Sequence, residues 1–386
     1  MIHRLINPLK TSSFFLFGAR GTGKSTFLRN HFAGDEAVLW VDLLNPEEED
    51  RYSRNPRELD ERLDAASGKI RWVVLDEIQK VPKLLDVVHG RIERRGTKFA
   101  MTGSSARKLK REGTNLLAGR AFVYNLFPLT HRELGSDFDL DSALMYGTLP
   151  GLLKFDTGEE KAAFLRAYAL TYLKEEVWGE HLVRKLDPFR KFIEIAAQCS
   201  GKIINFANMA RDTGADIKTV QSYFEILEDT LIGFLLEPYH LSVRKRQRQA
   251  PKFYLFDPGV RRALDRTLTI ELKPGTYAYG EAFEHLMVVE ALRLSAYKQN
   301  DFRFSYLRTK DDAEIDLIVE RPGARTVLIE IKSSQCIDDR DTRSLERFAA
   351  AMPKAAAFLL SRDPAAKRIG RVQALHWQQG FVELGL

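Results

Sequence analysis

Cysteine is scarce: Cys199 and Cys336 are the only two in 386 residues, and they lie far apart with no CxxC pair. That excludes a disulfide framework and a cysteine-built zinc site. No apolar run reaches the 18 or so residues of a membrane span. The stretch Met1–Lys10 lacks the long apolar segment of a signal peptide. The eight histidines form no HExxH motif or zinc-like cluster, and a G-x-S-x-G nucleophile elbow is missing. His89, His181 and His285 fall in helical stretches and read as surface or packing residues. Internal repeats and low-complexity tracts are also lacking. These absences lead us to expect a reducing, cytoplasmic location and no membrane partner. Excess charge is small as well: Lys plus Arg is 59 against 53 for Asp plus Glu, a net +6, compatible with a phosphate-rich partner without requiring one. Hydrophobic residues at 44% and charged residues at 29% exclude a disordered chain. At roughly 100–200 residues per domain, the length predicts two or three domains.

What the chain does have begins with short apolar runs separated by helical lengths. They are Phe14–Phe17, Val38–Val41, Trp72–Leu75, Phe99–Thr102 and Phe122–Leu126. Runs apolar on both faces predict a buried parallel sheet in an α/β domain over residues 1–135. A mostly helical lid or linker is expected over 136–185. Three helices, near Phe189–Gln198, Phe206–Asp212 and Ile217–Asp229, then two strands, Ile232–Leu236 and Lys252–Phe256, give the order of a winged helix over 186–262. Arg244, Lys245, Arg246 and Arg248 lie between those strands. Over 263–386 a helix from Tyr279 to about Ala296 precedes strands near Phe302–Leu307, Glu314–Val319 and Val327–Ile331. Arg321-Pro322-Gly323-Ala324-Arg325 reads as the hairpin turn between the last two.

Gly18-Ala19-Arg20-Gly21-Thr22-Gly23-Lys24-Ser25 fits G-x-x-x-x-G-K-[ST] without mismatch, between an apolar strand and the helical start Lys24-Ser25-Thr26. Its glycines let main-chain N–H groups turn in on phosphates, and the helix start adds a positive dipole end. Lys24 is expected to bridge the β- and γ-phosphates and Ser25 to ligate Mg²⁺. Trp72-Val73-Val74-Leu75-Asp76-Glu77 is an apolar strand ending in two acids. Asp76 is expected to hold the Mg²⁺, and Glu77 to act as general base on a water. Phe99–Ser105 is a further strand ending in hydroxyls, from which we take Ser104 over Thr102 as a sensor of the γ-phosphate; ordinary turn chemistry is the competing reading. Arg120, just before the strand Phe122–Leu126, is either an arginine finger or a salt-bridged surface residue.

A second cluster lies near the carboxyl terminus. A turn at Pro322–Gly323 brings Asp316 beside Glu330, whose strand also presents Lys332 on the same face. Two carboxylates beside a lysine are a divalent-metal site, to which Glu284, three residues after Glu281 on the preceding helix, adds a third carboxylate. This is the D…(D/E)-x-K constellation of restriction-endonuclease-like nucleases; a salt-bridged pair of strands is the alternative.

With these residues in hand, the chain resembles a family of prokaryotic AAA-type P-loop ATPases with a carboxyl-terminal region of unknown function. The resemblance covers nearly the whole chain. It rests on Gly18–Thr26, Val73–Val81, Thr102–Ser105, Leu117–Arg120 leading into Phe127–Glu133, Lys252–Val260, Gly280–Glu284 and the Asp316/Glu330/Lys332 set. It implies an ATPase core, a winged-helix module and a nuclease-like domain, with ATP and Mg²⁺ as ligands; it supplies no substrate.

Three functions compete at this level: an ATP hydrolase moving its later domains on DNA or RNA, a nucleotide-gated DNA-binding regulator, and an ATP-gated metal-dependent nuclease. The regulator is weakened by Glu225, Glu228 and Asp229, which oppose Lys218 on the helix that would read DNA. A trans-acting arginine would go with a homo-oligomer.

Overall fold

The computed structural model describes residues 2–66, 68–105, 107, 109, 117, 119–172, 186–240 and 249–386. Arg244, Lys245, Arg246, Arg248 and His181 lie outside them. Two compact units emerge, one built on the chain up to Leu129 and one on Thr130 onward, with Ile226–Ile232 grouped with the first.

The first unit is a five-stranded sheet of order β2-β3-β4-β1-β5. Its strands are β1 (Ser13–Phe17), β2 (Val38–Asp42), β3 (Trp72–Asp76), β4 (Lys98–Gly103) and β5 (Ala121–Asn125). All neighbours run parallel, as the apolar runs predict. Helices α1 (Lys24–His31), α2 (Pro46–Arg54), α3 (Glu58–Ala65) and α4 (Leu84–Arg95) supply the crossovers. Phe15, Phe17, Val73, Leu75, Phe99 and Met101 are fully or almost fully buried. Stacking five strands in one direction brings every carboxyl end to the same edge, and β4 between β3 and β1 closes the gap between the two acid- and glycine-bearing loops.

After a short helix at His131–Leu134, the second unit continues with α5 (Leu140–Tyr146) and α6 (Gly158–Ala167). Next come α7 (Leu186–Gln198), α8 (Phe206–Thr213), α9 (Ile217–Asp229, whose last residues group with the first unit), β6 (Gly233–Leu236) and β7 (Lys252–Leu255). β6 and β7 are antiparallel, with Gly233 opposite Leu255. After α10 (Pro258–Leu264), the long α11 (Tyr277–Tyr297) packs its apolar residues into the core of a six-stranded sheet. That sheet, of order β12-β13-β11-β10-β9-β8, is built from β8 (Arg303–Arg308), β9 (Glu314–Glu320), β10 (Val327–Ile331), β11 (Ala356–Ser361), β12 (Lys367–Ile369) and β13 (Val372–His376). Helices α12 (Asp339–Ala351) and α13 (Trp377–Glu383) complete it. The β9–β10 hairpin turns through Gly323 at φ 71°, and Leu317 faces Ile329 across it. Asp316 and Glu330 are the next residues along the two strands, and Asp316 Oδ2 accepts the Ile331 N–H.

Among the described residues, no helix is long and apolar enough to cross a membrane.

Candidate functional site

The loop Gly18–Gly23 leaves β1 and enters α1 through two left-handed glycines, Gly21 at φ 80° and Gly23 at φ 93°. Gly18 is fixed by crowding instead: a Cβ there would come within 2.4 Å of the Leu126 carbonyl oxygen. Thr22 folds the turn by donating its hydroxyl to the Ala19 carbonyl at 2.8 Å. Lys24 is buried; its Nζ donates to the Gly18 carbonyl at 2.8 Å and stands 3.8 Å from Glu77 Oε1. Ser25 is half-buried, and Arg20 and Thr26 are exposed.

β3 delivers Asp76 and Glu77 to the same edge. Glu77 takes a left-handed backbone, φ 62°, unusual for a residue other than glycine, and a conformation of this kind costs of order 1 kcal/mol. Thr102, one register step before the end of β4, holds both acids: its hydroxyl donates to Asp76 Oδ1 and accepts the Glu77 N–H at 2.9 Å. Ser104 lies farther on and meets Gln79 instead, whose Nε2 reaches its Oγ at 3.4 Å and also donates to Glu77 Oε2. Gln79 is the residue that sequence reasoning missed. Its only signal was its position two places after the acid pair.

Arg120 is not brought to this edge. Ala121 pairs with Ser13 at the amino end of β1, so Arg120 sits at the opposite edge of the sheet from the loop at Gly18. There its guanidinium pairs with Glu93, Nε to Oε1 2.9 Å, and pulls the Glu93 carboxyl below its ordinary range. Within one copy of the chain, an arginine finger at position 120 is therefore corrected to a salt-bridged arginine.

In the second unit, a cleft of about 570 Å³ opens between β7, α11, β9 and β10. Asp316 Oδ2 accepts the Ile331 N–H at 2.7 Å, and Lys332 Nζ pairs with Glu330 Oε1 at 2.6 Å. Glu330 Oε2 is buried with no hydrogen-bond partner. Burial, then repulsion from Glu284 and Glu330, holds the Asp316 carboxyl well above its usual range; burial chiefly also raises Glu330, against the pull of Lys332. Glu284 Oε1 accepts the Tyr254 hydroxyl at 2.8 Å and lies 3.5 Å from Lys252 Nζ, which also ion-pairs with Glu314. Among the described residues, no three His, Cys, Asp or Glu side chains converge as a metal set. Glu284 lines the same cleft as Asp316 and Glu330, and it also faces a lysine from another strand.

A parallel sheet with a glycine loop between β1 and α1, and an acid pair after β3, defines a P-loop nucleotide-binding domain. A family model described as an AAA domain matches residues 10–135. Two models described as domains of unknown function, DUF8612 and DUF4143, match residues 137–271 and 279–379. The uncharacterized protein Rv2008c of Mycobacterium tuberculosis is 30% identical over 314 residues, spanning 80% of this chain and 67% of its own length. The uncharacterized protein Mb2031c of Mycobacterium bovis matches with the same figures. The chain belongs to the family of these two proteins. A solved assembly of Thermococcus gammatolerans McrB AAA+ hexamers with bound McrC superposes with a TM-score of 0.19 at 12% identity, over 50% of this chain and 47% of that one. So loose an overlap says nothing about how this chain acts or assembles.

Proposed function

We propose that the first unit binds and hydrolyses ATP with Mg²⁺, and that its nucleotide state resets the second unit on nucleic acid. The observation that supports this most is the convergence of Lys24, Asp76, Glu77 and Thr102 on one edge of the sheet. The residues suit a nucleotide. Positive φ at Gly21 and Gly23 turns main-chain N–H groups inward, and Lys24 is held over the loop by the Gly18 carbonyl. Gly18–Thr26 would hold the triphosphate, and Ser25 and Asp76 the Mg²⁺, which when bound supplies positive charge against the phosphate oxygens. Thr102 fixes the direction of Asp76. Glu77, steadied by Gln79, takes the proton of an attacking water. Ser104, one residue beyond β4, joins this chain of contacts through Gln79. Arg120 would meet a nucleotide only from a second copy of the chain, which makes a homo-oligomer part of its reading. ATP turnover by the purified protein is the expected result, with nucleotide binding abolished in Lys24→Ala; turnover that survives this change would overturn the assignment.

For the second unit we propose a winged-helix-like segment over 186–262 followed by a restriction-endonuclease-like domain over 263–386, with residues 136–185 as a helical linker from a core of 1–135. The favouring observation is Asp316 and Glu330 from neighbouring strands in one cleft, with one buried Glu330 oxygen left unpartnered. A divalent cation fits there, on those two carboxylates, with Lys332 beside them to orient water or steady charge. Mg²⁺-dependent cleavage of DNA or RNA, lost in Asp316→Ala or Lys332→Ala with ATP turnover intact, is the expected outcome. If the wild type cleaves neither, the domain is a scaffold.

A further inference from the structure

The acidic cleft contains two ammonium groups, and only one belongs to the sequence motif. Lys252 opens β7, some 60 residues before β9, and is buried. Its Nζ lies 3.5 Å from Glu284 Oε1 and ion-pairs with Glu314, at the start of β9. Tyr254, two residues along the same strand face, donates to the same Glu284 oxygen at 2.8 Å. Glu284 and Glu314 therefore already have their cation. Asp316 and Glu330 do not share these contacts: one accepts a main-chain N–H, the other pairs with Lys332 and leaves Oε2 buried and unpartnered.

The balance of charge points the same way. At the rim, Glu281 pairs with both Lys202 and Arg261, and Arg308 pairs with Asp312. Inside, Glu284, Glu314, Asp316 and Glu330 face Lys252 and Lys332. With all six of these groups ionised, the state in which the two carboxylates would hold a metal, two negative charges remain among them, the complement of one divalent ion. Buried carboxylates without a counter-charge are strongly disfavoured, so the count bears on how many ions the cleft accepts.

We propose that the cleft takes a single divalent cation, on Asp316 and the unpartnered oxygen of Glu330, and that the ammonium of Lys252 stands in the place of a second. Glu284 and Glu314 are counter-ions of this lysine, not metal ligands. The inference rests on the reading of the cleft as a cation site and adds its stoichiometry and the role of Lys252.

The test is a count of bound Mn²⁺ on the full chain, nucleotide-free and carrying Lys24→Ala, by the loss of the free-ion electron paramagnetic resonance signal. One ion per chain is expected, lost in Glu330→Gln. Lys252→Met should take two. Glu284→Gln, which needs no uncompensated buried charge, should keep its one ion. Two ions on the parent, one ion of unchanged affinity on a folded Lys252→Met, or loss of the ion in Glu284→Gln would overturn the role of Lys252 while leaving the cation site in place. No ion on a parent folded by circular dichroism would overturn the cation site itself.

Discussion

The hydroxyl of Thr102 joins the two acids of the nucleotide site, accepting from one and donating to the other. Thr102→Val keeps the shape and removes both bonds. Asp76 then loses its partner and the Glu77 N–H loses its acceptor, at about 1–3 kcal/mol for a buried group left unpaired. If that cost falls on the transition state, ATP turnover drops roughly 10- to 100-fold, at tenfold per 1.4 kcal/mol. Steady-state hydrolysis should show this loss while nucleotide titration changes only a few-fold, because Lys24 and the loop are untouched, and Thr102→Ser should recover most of the rate. His285 invites a second residue-level test. It is fully buried, and burial first, then the charges of Arg261 and Arg293, pushes its pKa down from 6.5 to about 3. The folded state thus binds this proton more weakly than the unfolded one. The stabilising contribution is complete above about pH 6.5 and is lost as the pH falls toward 3, at about 1.4 kcal/mol per pH unit. Urea midpoints measured between pH 6.5 and 4 should fall more steeply for the wild type than for His285→Gln, whose amide can still donate to the Leu255 carbonyl. Parallel slopes would show that His285 is not the proton acceptor.

Elements meet through small residues at α5 and α10. Asp257 caps α10 by accepting from the Gly259 and Val260 N–H groups at 3.0 and 3.1 Å, and its other oxygen accepts the Thr148 N–H at 2.8 Å, just past α5. The backbones approach so closely that a Cβ on Gly259 would stand 1.9 Å from the Tyr146 carbonyl oxygen. Backbone cannot yield as a side-chain tip does, so Gly259→Ala should cost about 3 kcal/mol or more. Gly96→Ala, at the left-handed end of α4 with open space around it, should cost only about 1 kcal/mol, and comparing the two urea midpoints checks the distinction. The elements themselves were largely legible. Runs apolar on both faces announce a parallel sheet, and a Pro-Gly turn between alternating strands sets Asp316 beside Glu330. What the pattern could not carry was the distant contact. Nothing local to Lys252 says that β7 will lie against α11 and β9. Nor does the position of Arg120 before β5 say which edge it occupies until the direction of every strand is known. Thr102 and Ser104 were separable only by register, since β4 must sit between β3 and β1 for the earlier hydroxyl to meet Asp76.

At the scale of the whole molecule, the nucleotide residues lie in the first unit and the acidic cleft in the second. Coupling between them therefore requires ATP to interact differently with two states of the chain; tight binding that favours neither state shifts nothing. This makes the proposed drive testable apart from either chemistry. Hydrogen exchange of the full chain, with and without ATP and Mg²⁺, should show protection at Gly18–Thr26 and around Asp76 in the wild type, together with altered exchange in residues beyond Thr130. Lys24→Met should erase both effects, whereas Asp316→Asn should erase neither, because the nucleotide site is intact. Protection confined to residues before Leu129 would leave the first unit a nucleotide-binding domain with no influence on the second, and the proposed action on nucleic acid would lose its motor while the cleft kept its chemistry.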